Sequence, residues 1–193
     1  MRFMAQSIQG LTLAMLRVFD YTFGMTKNHH IAVLTTGGTI DKAYFDALSA
    51  FQITDSVMTH LLKTARVTHA YEVIEVCRKD SLELDDADRA RLVDTARDVD
   101  TSRVIITHGT DTMTVSAAAL AAVTGKTIVL VGALAPARFT ESDAAFNLGM
   151  AFAVAQTAPP GVYITMNGTV FDAANVVKDR DAGAFVPKPV TTA

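Results

Sequence analysis

Cysteine is nearly absent. Cys77 is the one cysteine in 193 residues, so the chain cannot close an intramolecular disulfide or build a cysteine-based zinc cluster. That usage implies a reducing, cytoplasmic compartment. No long apolar run is present either: the short piece Leu11-Thr12-Leu13-Ala14-Met15-Leu16 is interrupted at once by Arg17 and Asp20. It is too short and too charged for a membrane span, and it lacks a convincing cleavage site for a signal peptide. An excess of positive charge is also missing, with a formal net charge of -3, which argues against a nucleic-acid partner and gives no reason to expect a membrane one.

Several chemical signatures are lacking as well. Gly37-Gly38-Thr39 has no spaced glycines of a dinucleotide fingerprint and no acidic residue placed for a ribose. Gly125-Lys126-Thr127 superficially suggests a phosphate loop, but it precedes a strand instead of opening a helix. His29 and His30 are adjacent and His60, His69 and His108 are scattered, so no metal-ligand pattern emerges. No Gly-x-Ser-x-Gly elbow occurs. Neither a metal nor an organic cofactor is expected.

With 50% hydrophobic residues, the chain has enough apolar surface for one folded domain. Residues 1–26 read as an N-terminal extension and 27–193 as the domain itself. Within the extension Ile8, Leu11, Met15, Leu16 and Phe19 recur at helical spacing, which suits an amphipathic helix docked on a neighbouring surface. A disordered leader and a true start at Met25 are the alternatives.

Beyond it, apolar runs alternate with helical patterns. Strands are predicted at 30–35, 71–77, 103–107, 127–131 and 161–165, mostly as continuous runs of strands buried on both faces. Helices are predicted at 56–65, 85–98, 112–123 and 142–156, several opening on Asp or Ser caps. This order predicts a doubly wound, mostly parallel α/β sheet, whose ligand crevice lies at the carboxyl ends of the strands.

Thr39, Thr110 and Asp111 fall at such ends, after Val33-Leu34-Thr35-Thr36-Gly37-Gly38 and Ile105-Ile106-Thr107-His108-Gly109. Two threonines on converging strand ends suggest one site. A threonine hydroxyl needs a neighbouring base to act as a nucleophile. Lys178, in what reads as a polar loop after the last strand, would form one proton-transfer set with Thr110 and Asp111, because a desolvated lysine held by an aspartate can accept a proton. Thr39 would form the other set, with Tyr44 as hydroxyl partner and the glycine turn's N–H groups as an oxyanion hole. Taken singly, a threonine after a strand is more often a helix cap and an exposed lysine is usually solvated.

Four segments in order carry a resemblance: 36–40 (Thr-Gly-Gly-Thr-Ile), 107–113 (Thr-His-Gly-Thr-Asp-Thr-Met), 131–136 (Val-Gly-Ala-Leu-Ala-Pro) with Ser142-Asp143 and Asn147-Leu148, and 166–170 (Met-Asn-Gly-Thr-Val) with Lys178. Together they resemble the bacterial-type L-asparaginase (asparaginase/glutaminase) family, specifically its short single-domain form. The resemblance implies hydrolysis of L-asparagine to L-aspartate and ammonia, with Thr39 acylated and Thr110, Asp111 and Lys178 as the second polar set. The family's tyrosine lies in a mobile loop that acts as a lid, matched here by Tyr44 in a shorter loop. Gly38, Asp80, Ser81, Glu83 and Gly109 make up the implied substrate-binding set.

The chain departs from the family in two places. Where longer members read Gly-Ser-x-Asp, it reads Asp80-Ser81-Leu82-Glu83, which bears on substrate preference; Asp80 or Ser81 also reads as a plain helix cap. The smaller C-terminal domain of longer members has no counterpart here, so a homodimer or higher homo-oligomer is expected to cover the exposed face. The alternatives are an amidase for another ω-amide such as L-glutamine, or a silent amino-acid-binding domain.

Overall fold

The computed structural model describes residues 29–45 and 50–189; the amphipathic reading of residues 8–19 lies outside them. Along the chain come β1 (Ile31–Gly37), a hairpin of β2 (Lys42–Phe45) and β3 (Ala50–Ile53), then α1 (Met58–Thr64) and β4 (Tyr71–Lys79). These are followed by α2 (Asp86–Asp98), β5 (Arg103–Thr107), α3 (Met113–Leu120), β6 (Thr127–Val131), α4 (Ala144–Thr157) and β7 (Gly161–Met166). The last elements are β8 (Thr169–Asp172), β9 (Val176–Asp179) and β10 (Ala184–Pro187).

The main sheet runs β4-β1-β5-β6-β7-β8, parallel except for β7 against β8. It is the doubly wound α/β sheet that the alternation of elements predicts, and its period explains the continuous apolar runs. Successive strand residues point to opposite faces. Ala32, Leu34, Val104, Ile106, Ile128 and Leu130 pack on Leu92, Met113 and Leu120 of α2 and α3. Their neighbours Ile31, Val33, Ile105, Val129 and Val131 pack on Met58, Leu62, Ala151 and Phe152 of α1 and α4. Fully burying one such aliphatic side chain contributes about 1.5–3 kcal/mol, so a polar replacement at one of these positions is costly.

Burial on both faces fails at β4. As an edge strand with β1 on one side alone, it leaves Glu72, Glu75 and Arg78 exposed. Three corrections concern the remaining strands. The segment around Lys178, which reads in sequence as a polar loop, is strand β9 paired antiparallel with β10. β7 is not the last strand. The hairpin β2–β3 and strand β8 have no counterpart among the predicted elements. The turn from β7 to β8 is the two-residue Asn167-Gly168, with φ of 53° and 72°, the left-handed pair that a tight hairpin requires.

Among the described residues, no helix is long and apolar enough to cross a membrane.

Candidate active site

After β1 the chain crosses to β4 on one side, and β5 then returns to the other side of β1. The carboxyl ends of β1 and β5 therefore part around a crevice. Three loops meet there in close contact. A Cβ at Gly38 would lie 2.5 Å from the Cα and N of Gly109, and one at Gly109 would lie 2.7 Å from the Cβ and Oγ of Ser81. Glycine at both positions lets the Thr39 turn, the Thr110 turn and the Ser81 turn touch.

Thr39 opens one turn of 3-10 helix (Thr39–Asp41) and is half-buried. The turn is anchored by Asp41, which is buried and whose Oδ1 accepts the Val57 N–H at 2.9 Å. Burial pushes the Asp41 carboxyl above its ordinary value, against the pull of that hydrogen bond. Thr110 and Asp111 follow β5. The Lys178 Nζ donates to Thr110 Oγ1 at 2.8 Å and to Asp111 Oδ1 at 2.8 Å. The lysine side chain is only 16% exposed. Opposite Lys178 on β10 sits buried Phe185, whose N–H donates to Asn167 Oδ1 at 2.9 Å, so the turn after β7 fixes the hairpin that presents the lysine.

His108 lies beneath this cluster and is fully buried. Its Nδ1 is 2.7 Å from the Gly109 carbonyl and its Nε2 2.8 Å from the Ser116 hydroxyl. A carbonyl only accepts, so Nδ1 carries the proton and Nε2 accepts from Ser116. Burial lowers the His108 pKa to about 4. The unfolded chain binds this proton near pH 6.5 and the folded one near 4, so the stabilisation is complete above 6.5 and is lost as pH falls between those values. We expect about 3 kcal/mol of stability to disappear across that window, converting the shift at 1.36 kcal/mol per unit. Urea midpoints from pH 7.5 to 4.5 measure it, and His108→Asn should flatten the slope. Asp41 works with the opposite sign, because its raised carboxyl takes up a proton more readily in the folded state.

Of the residues expected at the site, Gly38, Thr39, Ser81, Gly109, Thr110, Asp111 and Lys178 come together in or beside the crevice. Ser81 is buried, and among the described residues nothing pairs with its hydroxyl; its carbonyl accepts from Thr112 Oγ1 at 2.7 Å. Asp80 and Glu83 are engaged in the Ser81 turn itself, and Asp80 pairs with Lys42 as well. They form a capping box around the single turn Ser81–Glu83, with Asp80 Oδ1 accepting the Leu82 N–H and Glu83 Oε2 accepting the Asp80 N–H. The following helix α2 has its own cap in Asp85, so Asp80 caps the turn and not that helix. Tyr44 stands on β2, 51% exposed, with its ring edge-on to Phe51 at 5.3 Å.

One supporting feature is not visible in the sequence, and a second lies within the 131–147 motif without its role being legible there. Lys42 pairs with Asp80 at 2.7 Å. Asp143 accepts the N–H groups of Leu134 and Ala135, while Asn147 Nδ2 donates to the Gly132 carbonyl and to Asp143. The 131–147 segment is thus a scaffold for the loop beside the Thr39 turn, where Ala137 N–H donates to the Ile40 carbonyl at 3.1 Å. The signal available for Asp143 is its place one residue before a helix start.

The profile of the family described as Asparaginase, N-terminal, matches residues 30–185. The chain belongs to the asparaginase family. This asparaginase-type domain is 32% identical over 178 residues to a glutaminase-asparaginase of Pseudomonas aeruginosa, covering 83% of this chain and 46% of that one. It is 32% identical over 154 residues to a component of the glutamyl-tRNA(Gln) amidotransferase of Archaeoglobus fulgidus, covering 74% of this chain and 35% of the relative. Among solved structures, the thermostable L-asparaginase from Thermococcus kodakarensis superposes with a TM-score of 0.70 at 28% identity, over 82% of this chain and 51% of that one. The domain thus spans about half or less of these relatives' length.

Proposed function

We propose that residues 27–193 form a catalytic domain that hydrolyses the side-chain amide of L-asparagine to L-aspartate and ammonia. The observation that carries this reading is the Lys178–Thr110–Asp111 cluster, two 2.8 Å contacts opening on the crevice where the Gly38 backbone touches Gly109 beside Thr39. In this mechanism Thr39 Oγ attacks the amide carbon and forms an acyl-threonine ester. The hydroxyl proton passes through the Thr110–Lys178 pair to the leaving nitrogen, which departs as ammonia. Water then cleaves the ester, giving aspartate and regenerating Thr39. Asp111 holds the lysine, and Tyr44 supplies a hydroxyl near Thr39.

Ser81 suits the substrate carboxylate. Leaving a buried hydroxyl unpaired costs about 1–3 kcal/mol, and a carboxylate oxygen accepting from it offsets that cost. Glutamine is the second reading, favoured by the Pseudomonas aeruginosa glutaminase-asparaginase. The domain would act in the cytoplasm as a homodimer or larger homo-oligomer; the exposed Phe146 and Val170 support such an assembly.

The test is ammonia release from L-asparagine and L-glutamine over a wide concentration range, with Thr39→Ala alongside. Asparagine turnover that disappears in Thr39→Ala is the expected outcome. Turnover that survives in Thr39→Ala removes the acyl-threonine, and binding of asparagine without any turnover replaces the enzyme with an amino-acid-binding domain.

A further inference from the structure

The chain's departure at Asp80 has a partner. Lys42 Nζ lies 2.7 Å from Asp80 Oδ2, and both side chains are 27% exposed. The Asp80 carboxylate is already oriented before Lys42 reaches it, because the same group accepts the Leu82 N–H while the Asp80 N–H is held by Glu83. Burial alone would push the Asp80 carboxyl up, but the Lys42 ammonium and the Leu82 N–H hold it below its ordinary value. Lys42 itself follows directly on the Thr39–Asp41 turn. The pair therefore spans from the turn of the candidate nucleophile to the turn carrying Ser81.

Lys42 and Tyr44 are two residues apart on β2 and share a side of the strand. Half of Tyr44 is exposed, so packing alone does not fix its hydroxyl. The hairpin's aromatic and Arg138 ties lead elsewhere. Tyr44 pairs across with Phe51, whose ring lies 5.9 Å from Phe139, and the Arg138 guanidinium donates to Thr54 Oγ1 at 3.3 Å. These contacts fasten the hairpin to the 134–142 loop, while the Gly38 N–H donating to the Lys79 carbonyl at 3.1 Å and the Arg78–Asp55 pair at 2.7 Å hold its two flanks on β4, a short distance before the Ser81 turn. The Lys42–Asp80 ion pair bridges that distance.

We propose that Lys42 and Asp80 are a positioning pair, which sets β2, and with it Tyr44, at a fixed distance from the turn that carries Ser81. Its kinetic consequence rests on the hydrolysis proposed above; its structural consequence does not. Displacing a reacting group by about 1 Å costs on the order of tenfold or more in rate.

The experiment combines kinetics with hydrogen exchange in the full chain. Lys42→Met keeps the aliphatic stem, and Asp80→Asn keeps an acceptor for the Leu82 N–H. Each is expected to lower kcat/KM for asparagine about tenfold, and Lys42→Arg is expected to restore most of it. In a Tyr44→Phe background, Lys42→Met is expected to add little, because the pair acts through Tyr44. Peptides covering 42–45 and 81–84 are expected to exchange faster in Lys42→Met and Asp80→Asn. Full additivity with Tyr44→Phe overturns the action through Tyr44, and unchanged exchange in both variants overturns the pair altogether. If the wild type releases no ammonia, the hydrolysis reading falls while exchange still decides the pair.

Discussion

Lys178→Met is expected to reduce ammonia release from asparagine by at least about 10³-fold, within the range typical of a lost proton-transfer group, while the chain still folds. The fold tolerates the change because Lys178 sits at the crevice and not in the core. Its partner Asp111 is 34% exposed, so water replaces the lost ammonium at a cost of about 1 kcal/mol or less. The kinetic cost is of another order, since Thr110 loses the group that contacts its hydroxyl at 2.8 Å. Lys178→Arg separates two roles of the residue. A guanidinium keeps the charge but cannot give up its proton at neutral pH. If Lys178 relays a proton, arginine is as damaging as methionine; if it acts only as a fixed positive charge, arginine retains much of the activity. Single-turnover ammonia release measured beside a urea denaturation curve keeps loss of chemistry distinct from loss of fold.

Gly38→Ala is expected to be the most damaging single-methyl change in the domain, costing about 3 kcal/mol or more. Two effects add there. Gly38 has φ 87° and ψ -173°, a region that residues with a Cβ essentially do not occupy and that costs them about 1–3 kcal/mol. The new methyl would also lie 2.5 Å from backbone atoms of Gly109, and neither strand end can retreat without breaking the β1–β5 pairing. Gly125→Ala is the control. Its φ of 75° also carries a conformational penalty, but nothing lies within 4 Å of the added carbon, so about 1–2 kcal/mol is expected. The difference between the two urea midpoints measures the contact together with the more restricted backbone of Gly38. Equal losses would mean that the loops separate easily, and a crevice built on their contact would then be a poor place for fixed chemistry.

The central sheet is legible in the sequence because most of its strands are continuous apolar runs ending in a turn signal, and the helices between them begin near acidic or hydroxyl caps. The hairpins are not legible, for a matching physical reason. β3 is a four-residue strand with three exposed positions, so no burial writes a period into Ala50-Phe51-Gln52-Ile53. β9 reads Val-Val-Lys-Asp, half apolar and half charged. For β8 the signal is present, since Asn167-Gly168 is a strong short-range hairpin dipeptide, although its place inside a motif draws attention away from its role as a turn. At the site, motifs point to Thr39, Thr110, Asp111 and Lys178, and the fold brings the last three into direct contact. Asp80 and Glu83 enter the binding set through the resemblance to the family's Gly-Ser-x-Asp, and the structure adds that they form a one-turn capping box, a role that residue types at this spacing also serve. Lys42 leaves no trace, since an ion pair between residues 38 positions apart imposes no local pattern.

The β9–β10 hairpin that carries Lys178 has an implication for the order in which the domain becomes competent. Lys178 meets Thr110 across a separation of 68 residues, so this contact closes a long loop, whereas β1, β4 and β5 are all made earlier in synthesis. A nascent chain presents the Thr39 and Thr110 turns before the lysine exists, but a domain generally folds as a unit, so the cluster closes only once the later strands have been made. The residues bearing the hydroxyls are thus synthesised first, and the lysine arrives near the end of the family-matched segment. The proposed proton-transfer cluster therefore depends on the part of the domain that is made last.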